Sequence, residues 1–388
     1  MSPRSAAALH YVDTSSDLTA LLRRLSHARL VALDTEADSL HNYYEKVCLI
    51  QLAIEGRHIL IDPLAGLDLT EFLAVLAERP LVFHGADYDL RMLRTSLGFR
   101  PRNEVHDTLI AAQLVGIQEF GLAALVERFC GVTLPKTKRK TDWSRRPLAP
   151  DEVAYAVDDV RYLRATAEHL FAELRRLERY DWYRESCERL VEATAQDRPR
   201  DPENAWRIKG LRELDRHQLA FVRELWHWRE AEAQRADRPP FMVLGNAQLI
   251  ALATWAAAHP AAPLAQGPKL PRNCRGSRLR ALEHAVRRAR ATPKDDWPPC
   301  HVRGGQRPGP FADPRDVESL MAACARKAAK LALTPSVLAP RAGLEAVAAH
   351  RPATVPEAVA RTPLMRWQAE LLWPEIREVL SKPPHRKE

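Results

Sequence analysis

LVALDTEA, residues 30–37, is a short aliphatic run that ends in two carboxylates, Asp34 and Glu36. Its length, branched side chains and polar boundary suit a buried strand. Strand period two puts Asp34 and Glu36 on one face and Thr35 on the other. Paired carboxylates repel one another and resist desolvation unless a cation lies between them. By itself the pair also fits a solvated strand end. Outward from it, VCLIQLAI (47–54), HILID (58–62) and LVFHGA (81–86) have the same strand character, with a helical segment at about 69–78 before the last of them. A helix over 87–98 closes at Gly98, and 108–130 holds two helical pieces separated around Gly116 and Gly121. A long helix starts near 151, where Pro150-Asp151-Glu152 sets carboxylates in its first turn. Clustered strands followed by helices predict an α/β domain, a mixed sheet flanked by helices.

The whole chain has 388 residues, enough for two or three domains. Its 46% apolar and 28% charged residues fit a globular protein. No apolar run approaches the roughly 18 residues of a membrane helix, so no membrane partner is expected. The opening MSPRSAAALHYVDT has no continuous apolar stretch, which argues against a signal peptide. Six cysteines without a CxxC pair point neither to a disulfide framework nor to a zinc module. The expectation is a reduced, cytoplasmic protein, a monomer with no small-molecule cofactor. The net charge of +8 is uneven: residues 1–200 hold 27 basic and 30 acidic side chains, residues 201–388 hold 31 and 20. Such asymmetry suggests a polyanion-binding region joined to one with another task.

The second half shows no strand run. DRPRDPEN (197–204) and the Pro/Gly-rich 293–314 read as linkers around two helical segments, 207–291 and 315–380. These segments look like a degenerate repeat. FMVLGNAQLIALA carries Leu249, Leu252 and Ala253 after Val243, and PSVLAPRAGLEAVA carries Leu344, Val347 and Ala348 after Val337, one residue longer between anchors. The domain division is 1–200, 205–292 and 311–388.

Two more acidic elements follow the first. In HGADYDLRML a strand ends at His84-Gly85 and a helix begins, with Asp87 and Asp89 in its first turn. In Tyr155-Ala-Val-Asp158-Asp159, helical spacing turns Tyr155 and Asp159 to one side and Asp158 away. Taken in order, strand Asp-x-Glu, strand-end His-x4-Asp-Leu and helical Tyr-x3-Asp resemble the DEDD exonuclease superfamily in its tyrosine subgroup. YEKVCLIQLA, GVTLPKTKRKTDWSRRPL and the paired helical modules extend the resemblance to the ribonuclease D family over nearly the whole chain.

The resemblance implies a ribonuclease H-like exonuclease domain followed by two small all-α HRDC-like domains. It implies a metal-dependent 3′–5′ exoribonuclease that releases nucleoside 5′-monophosphates, with tRNA precursors as substrate. Asp34, Glu36, Asp89 and Asp159 become ligands of two divalent cations, Mg²⁺ or Mn²⁺, a choice that hard oxygen donors support. Tyr155 becomes the residue that orients the attacking water. Beside these, Thr35, Tyr44 and His84 are candidate substrate contacts. A DNA exonuclease and a non-catalytic binding adaptor are the alternative functions. The family often has glutamine where Glu152 stands, which adds negative charge near the site. Asp62, before Pro63 in a turn, and Asp107, a helix N-cap, stay outside it.

For grip on RNA, Lys136, Lys138, Arg139, Lys140, Trp143, Arg145 and Arg146 place six positive charges and an aromatic within eleven residues. Phosphate contact is the reading beside a phosphodiester site. Trp143 either stacks on a terminal base or anchors the loop. Tyr43 and Tyr44 either line the nucleotide slot or cover the sheet edge. Of the arginines at 272, 275, 278, 280, 287, 288 and 290, only part can face one strand.

Overall fold

The computed structural model describes residues 9–135, 141–197, 201, 203–300 and 312–381. One mixed sheet holds β1 (Leu9–Val12), β2 (Val31–Ala37), β3 (Val47–Ile54), β4 (Arg57–Ile61), β5 (Leu81–Phe83) and β6 (Val105–Asp107), in the order β1-β4-β3-β2-β5-β6. β3 is antiparallel to β2 and β4, and the other neighbours are parallel. β3 and β4 form a hairpin closed by Glu55 (φ 47°) and Gly56 (φ 80°), both in the left-handed region that a two-residue turn requires. β3 is buried nearly throughout, which is why VCLIQLAI reads as continuous apolar sequence rather than an alternation.

Helices α1 (Ser15–Leu25), α2 (Thr70–Ala77) and α3 (Asp87–Leu97) cover one face of the sheet, around Leu33, Phe72, Phe83 and Leu93. Helices α4 (Thr108–Val115), α5 (Leu122–Cys130), α6 (Pro150–Arg161) and α7 (Leu163–Arg176) cover the other, around Ala32, Val82 and Leu49. Helix α8 (Tyr180–Thr194) packs on β6 at the sheet edge. Sequence reasoning missed β1, α1 and β6. The strands are four and three residues long, too short to show a period. For α1 the signal was present: Thr14 accepts the Asp17 N–H at 3.2 Å, and Leu18, Leu21 and Leu25 fall on one buried stripe.

Among the described residues all the remaining elements are helices: α9 (Arg216–Ala236), α10 (Pro240–Val243), α11 (Asn246–Ala258), α12 (Ser277–Ala291), then α13 (Pro314–Lys330), α14 (Pro335–Leu338), α15 (Arg341–His350), α16 (Val355–Arg361) and α17 (Arg366–Leu380), apart from short 3₁₀ turns. The chain divides into two compact units. The described residues of 1–37, 47–196 and 308–388 make one, those of 38–46 and 197–307 the other. This differs from the three bodies read from the sequence, 1–200, 205–292 and 311–388. Two features account for it. The final helical segment shares a core with α4, α5, α7 and α8. The loop after β2 packs on α9: Tyr43 joins the α9–α12 core, and its backbone N–H donates to Asp237 at 3.0 Å.

The join inside the first unit is specific. Arg179, 7% exposed, donates to Leu114 O at 2.7 Å and to Leu331 O at 2.8 Å. Trp182 and Trp367 stack with centroids 5.0 Å apart. Glu185 accepts the Arg366 and Trp367 N–H groups at 2.5 and 3.1 Å, capping α17. Gly116 (φ 98°) lies so close to Ala332 that a Cβ would stand 2.4 Å from its carbonyl oxygen.

The repeat is visible in the backbone. α10 and α14 each start at proline, run four residues and end at an extended residue, Leu244 (φ −158°, ψ 119°) and Ala339 (φ −158°, ψ 124°). Val243, Leu249, Leu252 and Ala253 thus correspond to Leu338, Leu344, Val347 and Ala348 without insertion. The extra residue inferred from the sequence came from taking half-buried Val337 as the anchor, whereas Leu338 is the buried one.

Candidate active site

β2 delivers Asp34 and Glu36 to the face covered by α6, and α6 delivers Tyr155 and Asp159. Carboxylate oxygens of Asp34, Glu36 and Asp159 lie within 4.8 Å of one another, a group that can hold a metal ion. Asp89, on α3, stands outside that group of three, yet its charge acts on Asp34, Glu36 and Asp159. One of its oxygens accepts from Thr35, from the backbone N–H at 3.0 Å and from the hydroxyl at 2.6 Å. Thr35 is 6% exposed with its hydroxyl engaged in this way, so it steadies Asp89 and is not free for substrate. That corrects the substrate-contact expectation for Thr35.

Desolvation dominates the electrostatics. It raises Asp34 well above the carboxylate range, reinforced by the charges of Asp89, Asp159 and Glu36. Glu36 is pushed up to about 9 by burial, then by Asp159 and Asp89. Asp159 rises to about 7 by burial, partly opposed by a hydrogen bond from Tyr155. Asp89 rises to about 6, with the Thr35 hydrogen bonds opposing. Burial and the surrounding acids push the Tyr155 phenol up, so it stays protonated. Carboxylates so placed take up protons unless a cation neutralises them. Gln51, fully buried and paired with Asp34 across β2 and β3, has no partner for either amide atom among the described residues. An all-oxygen donor set, crowded negative charge and an orphaned amide beside it fit a hard divalent cation.

The backbone around Asp89 is held by a residue that sequence reasoning placed elsewhere. Asp107 does cap α4, accepting the Leu109 N–H at 2.8 Å. Its carboxylate also accepts from Gly85 N and Ala86 N, both at 2.9 Å, the turn that launches α3. Only the β5–β6 pairing creates that contact, so no sequence signal announced it. His84 Nδ1 lies 2.9 Å from the Thr108 hydroxyl. That hydroxyl donates to Phe83 O at 3.0 Å, so the histidine must carry its proton on Nδ1. Burial lowers the His84 pKa, keeping the ring neutral at pH 7.

The other sequence candidates separate. Trp143 is 3% exposed in a core with Leu49, Leu60 and Val157, its ring 6.0 Å from that of Tyr155. It anchors the loop and has no face to offer a base. Arg146 forms an ion pair with Asp62, Nη2 to Oδ1 at 2.7 Å, and donates to Cys48 O, so both residues are structural. Arg145 is exposed and pairs with Asp142. Lys136, Lys138, Arg139 and Lys140 lie outside the described residues. Glu152 accepts the Ala149 N–H at 2.8 Å and caps its own helix. Asp158 pairs with Arg161 at 2.8 Å, and Asp87 with Arg91 at 3.2 Å. Tyr44 belongs to the second unit and is exposed.

A family model described as 3'-5' exonuclease matches residues 9–175, and one for the HRDC domain matches residues 218–261. Sheet, carboxylate cluster and tyrosine therefore stand in a 3′–5′ exonuclease domain. Ribonuclease D of Jannaschia sp. is 35% identical over 298 residues, 74% of this chain and 76% of its own. Ribonuclease D of Xanthomonas oryzae is 33% identical over 349 residues, 88% and 92% of the two chains. The crystal structure of Escherichia coli RNase D, an exoribonuclease involved in structured RNA processing, shares the fold with a TM-score of 0.69. It is 24% identical and covers 97% of this chain and 100% of its own. The chain belongs to the ribonuclease D family of 3′–5′ exoribonucleases.

Proposed function

We propose that Asp34, Glu36, Asp89 and Asp159 hold two divalent cations, Mg²⁺ or Mn²⁺, and that Tyr155 orients the water that cleaves the last phosphodiester of an RNA 3′ end. The cluster of Asp34, Glu36 and Asp159 oxygens within 4.8 Å carries this reading. Such cations supply a more acidic bound water and stabilisation of charge on the leaving 3′ oxygen. The Tyr155 hydroxyl donates to Asp159, which leaves its oxygen lone pairs to accept from a water proton and aim the water. With its pKa raised, the phenol positions the water rather than deprotonating it. Thr35 and Asp107 act through Asp89, one on its carboxylate and the other on the turn before its helix. Attack on phosphorus breaks the bond to O3′ and releases a nucleoside 5′-monophosphate.

The natural substrate in this reading is a tRNA precursor, trimmed at its 3′ end in the cytoplasm by a monomer. The backbone repeat supports assigning 312–381 as a second HRDC module. The 21 Lys+Arg against 12 Asp+Glu in residues 197–307 support RNA affinity in the first. The test uses 3′-labelled RNA and DNA with Mg²⁺, Mn²⁺ or EDTA. RNA shortening from the 3′ end, with 5′-monophosphates released and EDTA abolishing it, is the expected result. Cleavage of DNA alone, or RNA cleavage indifferent to EDTA, overturns the reading.

A further inference from the structure

In the basic unit, hydrogen bonds tie three separate segments into one surface. Tyr43 and Tyr44 donate their backbone N–H groups to Asp237 Oδ1 at 3.0 and 3.1 Å. Arg238 donates to His41 O at 3.3 Å, so the loop after β2 is fastened to the C-terminal end of α9 from both sides. From the third segment, Asn273 donates to Met242 O at 2.9 Å, fixing the loop before α12 against α10. Tyr43 is the anchor, its hydroxyl accepting from Gln234 at 3.0 Å. Large apolar side chains on the same segments are displayed. Tyr44 is 62% exposed, Phe241 55% and Met242 38%.

Exposed large hydrophobic side chains are few in this molecule. Among the described residues there are seven, and four of them, Leu40, Tyr44, Phe241 and Met242, lie on the post-β2 loop and α10. Clustered exposed apolar groups mark an interaction site more than scattered ones do. The frame of the patch is cationic. Arg272 and Arg275 flank Asn273 and are exposed, with no hydrogen bond or ion pair among the described residues. Flat apolar faces set among unpaired arginines suit a partner that alternates planar bases with phosphates.

We infer that this composite surface binds single-stranded RNA, with bases stacking on Tyr44 and Phe241 and phosphates meeting Arg272 and Arg275. It rests on the RNA-directed reading above and adds to it a binding site outside the carboxylate cluster. The loop that follows the catalytic strand thereby serves as part of an RNA platform. Tyr44 is already a candidate substrate contact from the sequence; Phe241 is not, and the structure adds it.

The experiment measures binding of a 5′-labelled oligo(A) to the full-length protein in EDTA, so that turnover does not intrude. Phe241→Ala should raise Kd about tenfold, the effect of losing one stacked base. Arg272→Ala with Arg275→Ala should lower the slope of log Kd against log salt by about 0.7 for each charge removed. Both sites are exposed, and unchanged melting temperatures will show that the variants fold. Parental Kd in Phe241→Ala together with a parental salt slope in the arginine variant overturns the proposal. If substitution instead changes only the sedimentation coefficient, the patch contacts a second copy of the chain and the RNA assignment fails. Parental protein that degrades 3′-labelled RNA while these variants bind normally refutes this inference and leaves the proposed function standing. Parental protein that neither binds nor shortens RNA refutes the function itself.

Discussion

The two helical modules repeat one backbone pattern and use it in opposite ways. The first, α9–α12, closes its own core around Leu219, Leu225, Leu249 and Leu282 and buries one arginine, Arg229, leaving the others of its helices exposed or half-buried. The second, α13–α17, merges its core with the helices of the catalytic sheet through Arg179, Trp182 and Glu185. Charge follows use. Residues 201–307 hold 19 basic and 11 acidic side chains, whereas 308–388 hold 12 and 9, so most of the excess over neutrality sits in the first module. A module whose outer face is buried against another domain cannot keep many charges there, because each would need a partner. The same repeat sits in a basic unit with its own core in one place and serves as a structural buttress in the other.

That contrast can be broken or sharpened by experiment. The largest effect belongs to the catalytic unit alone: Asp159→Asn should lower turnover at least about 10³-fold while RNA affinity in EDTA stays within twofold. Turnover within tenfold of the parent would show that the carboxylate cluster is not the reactive centre. Next, Arg179→Ala strands two carbonyls, the buried Leu114 O and the part-buried Leu331 O, and should cost about 2–4 kcal/mol in urea unfolding. Gly116→Ala combines a left-handed φ of 98° with an overlap at 2.4 Å and should cost a comparable 2–3 kcal/mol. If neither variant shifts the urea midpoint, the second module is not a buttress. Losing the α17 cap in Glu185→Gln should cost only about 1 kcal/mol.

A pH titration separates the units electrostatically. In the catalytic unit Asp89, Asp159 and Glu36 are raised to about 6, 7 and 9. Between the ordinary carboxylate range near 4 and those values, the folded state binds more protons than the unfolded chain. Stability of metal-free protein therefore falls as pH rises through that window. Melting temperatures in EDTA should decline from pH 5 to pH 9, and saturating Mg²⁺ should flatten the decline. A profile that is flat without metal would contradict the desolvated cluster.

Much of the site was legible because its residues obey local periods. Asp34 and Glu36 lie two apart on a strand, and Tyr155 and Asp159 four apart on a helix, so each pair could be oriented from spacing alone. Trp143 could not be assigned, since a tryptophan in a basic loop reads the same whether its ring faces a base or the core. Asp107 read correctly as a helix cap, yet its grip on Gly85 and Ala86 depends on a strand pairing between segments some twenty residues apart. Thr35 and Gln51 owe their surroundings to partners on other strands and helices, which no local pattern encodes.

By itself the sequence determined the mixed α/β sheet, the order of the acidic elements and the existence of a helical repeat, because apolar period and carboxylate spacing are local properties of the chain. Tertiary structure alone decided which module closes a core of its own and which is absorbed into the catalytic core. It also decided that the loop after the catalytic strand belongs with the basic helices. Those outcomes turn on which buried faces find each other. A single guanidinium bridging Leu114 and Leu331, or a glycine making room for Ala332, settles that match across more than 150 residues of intervening chain.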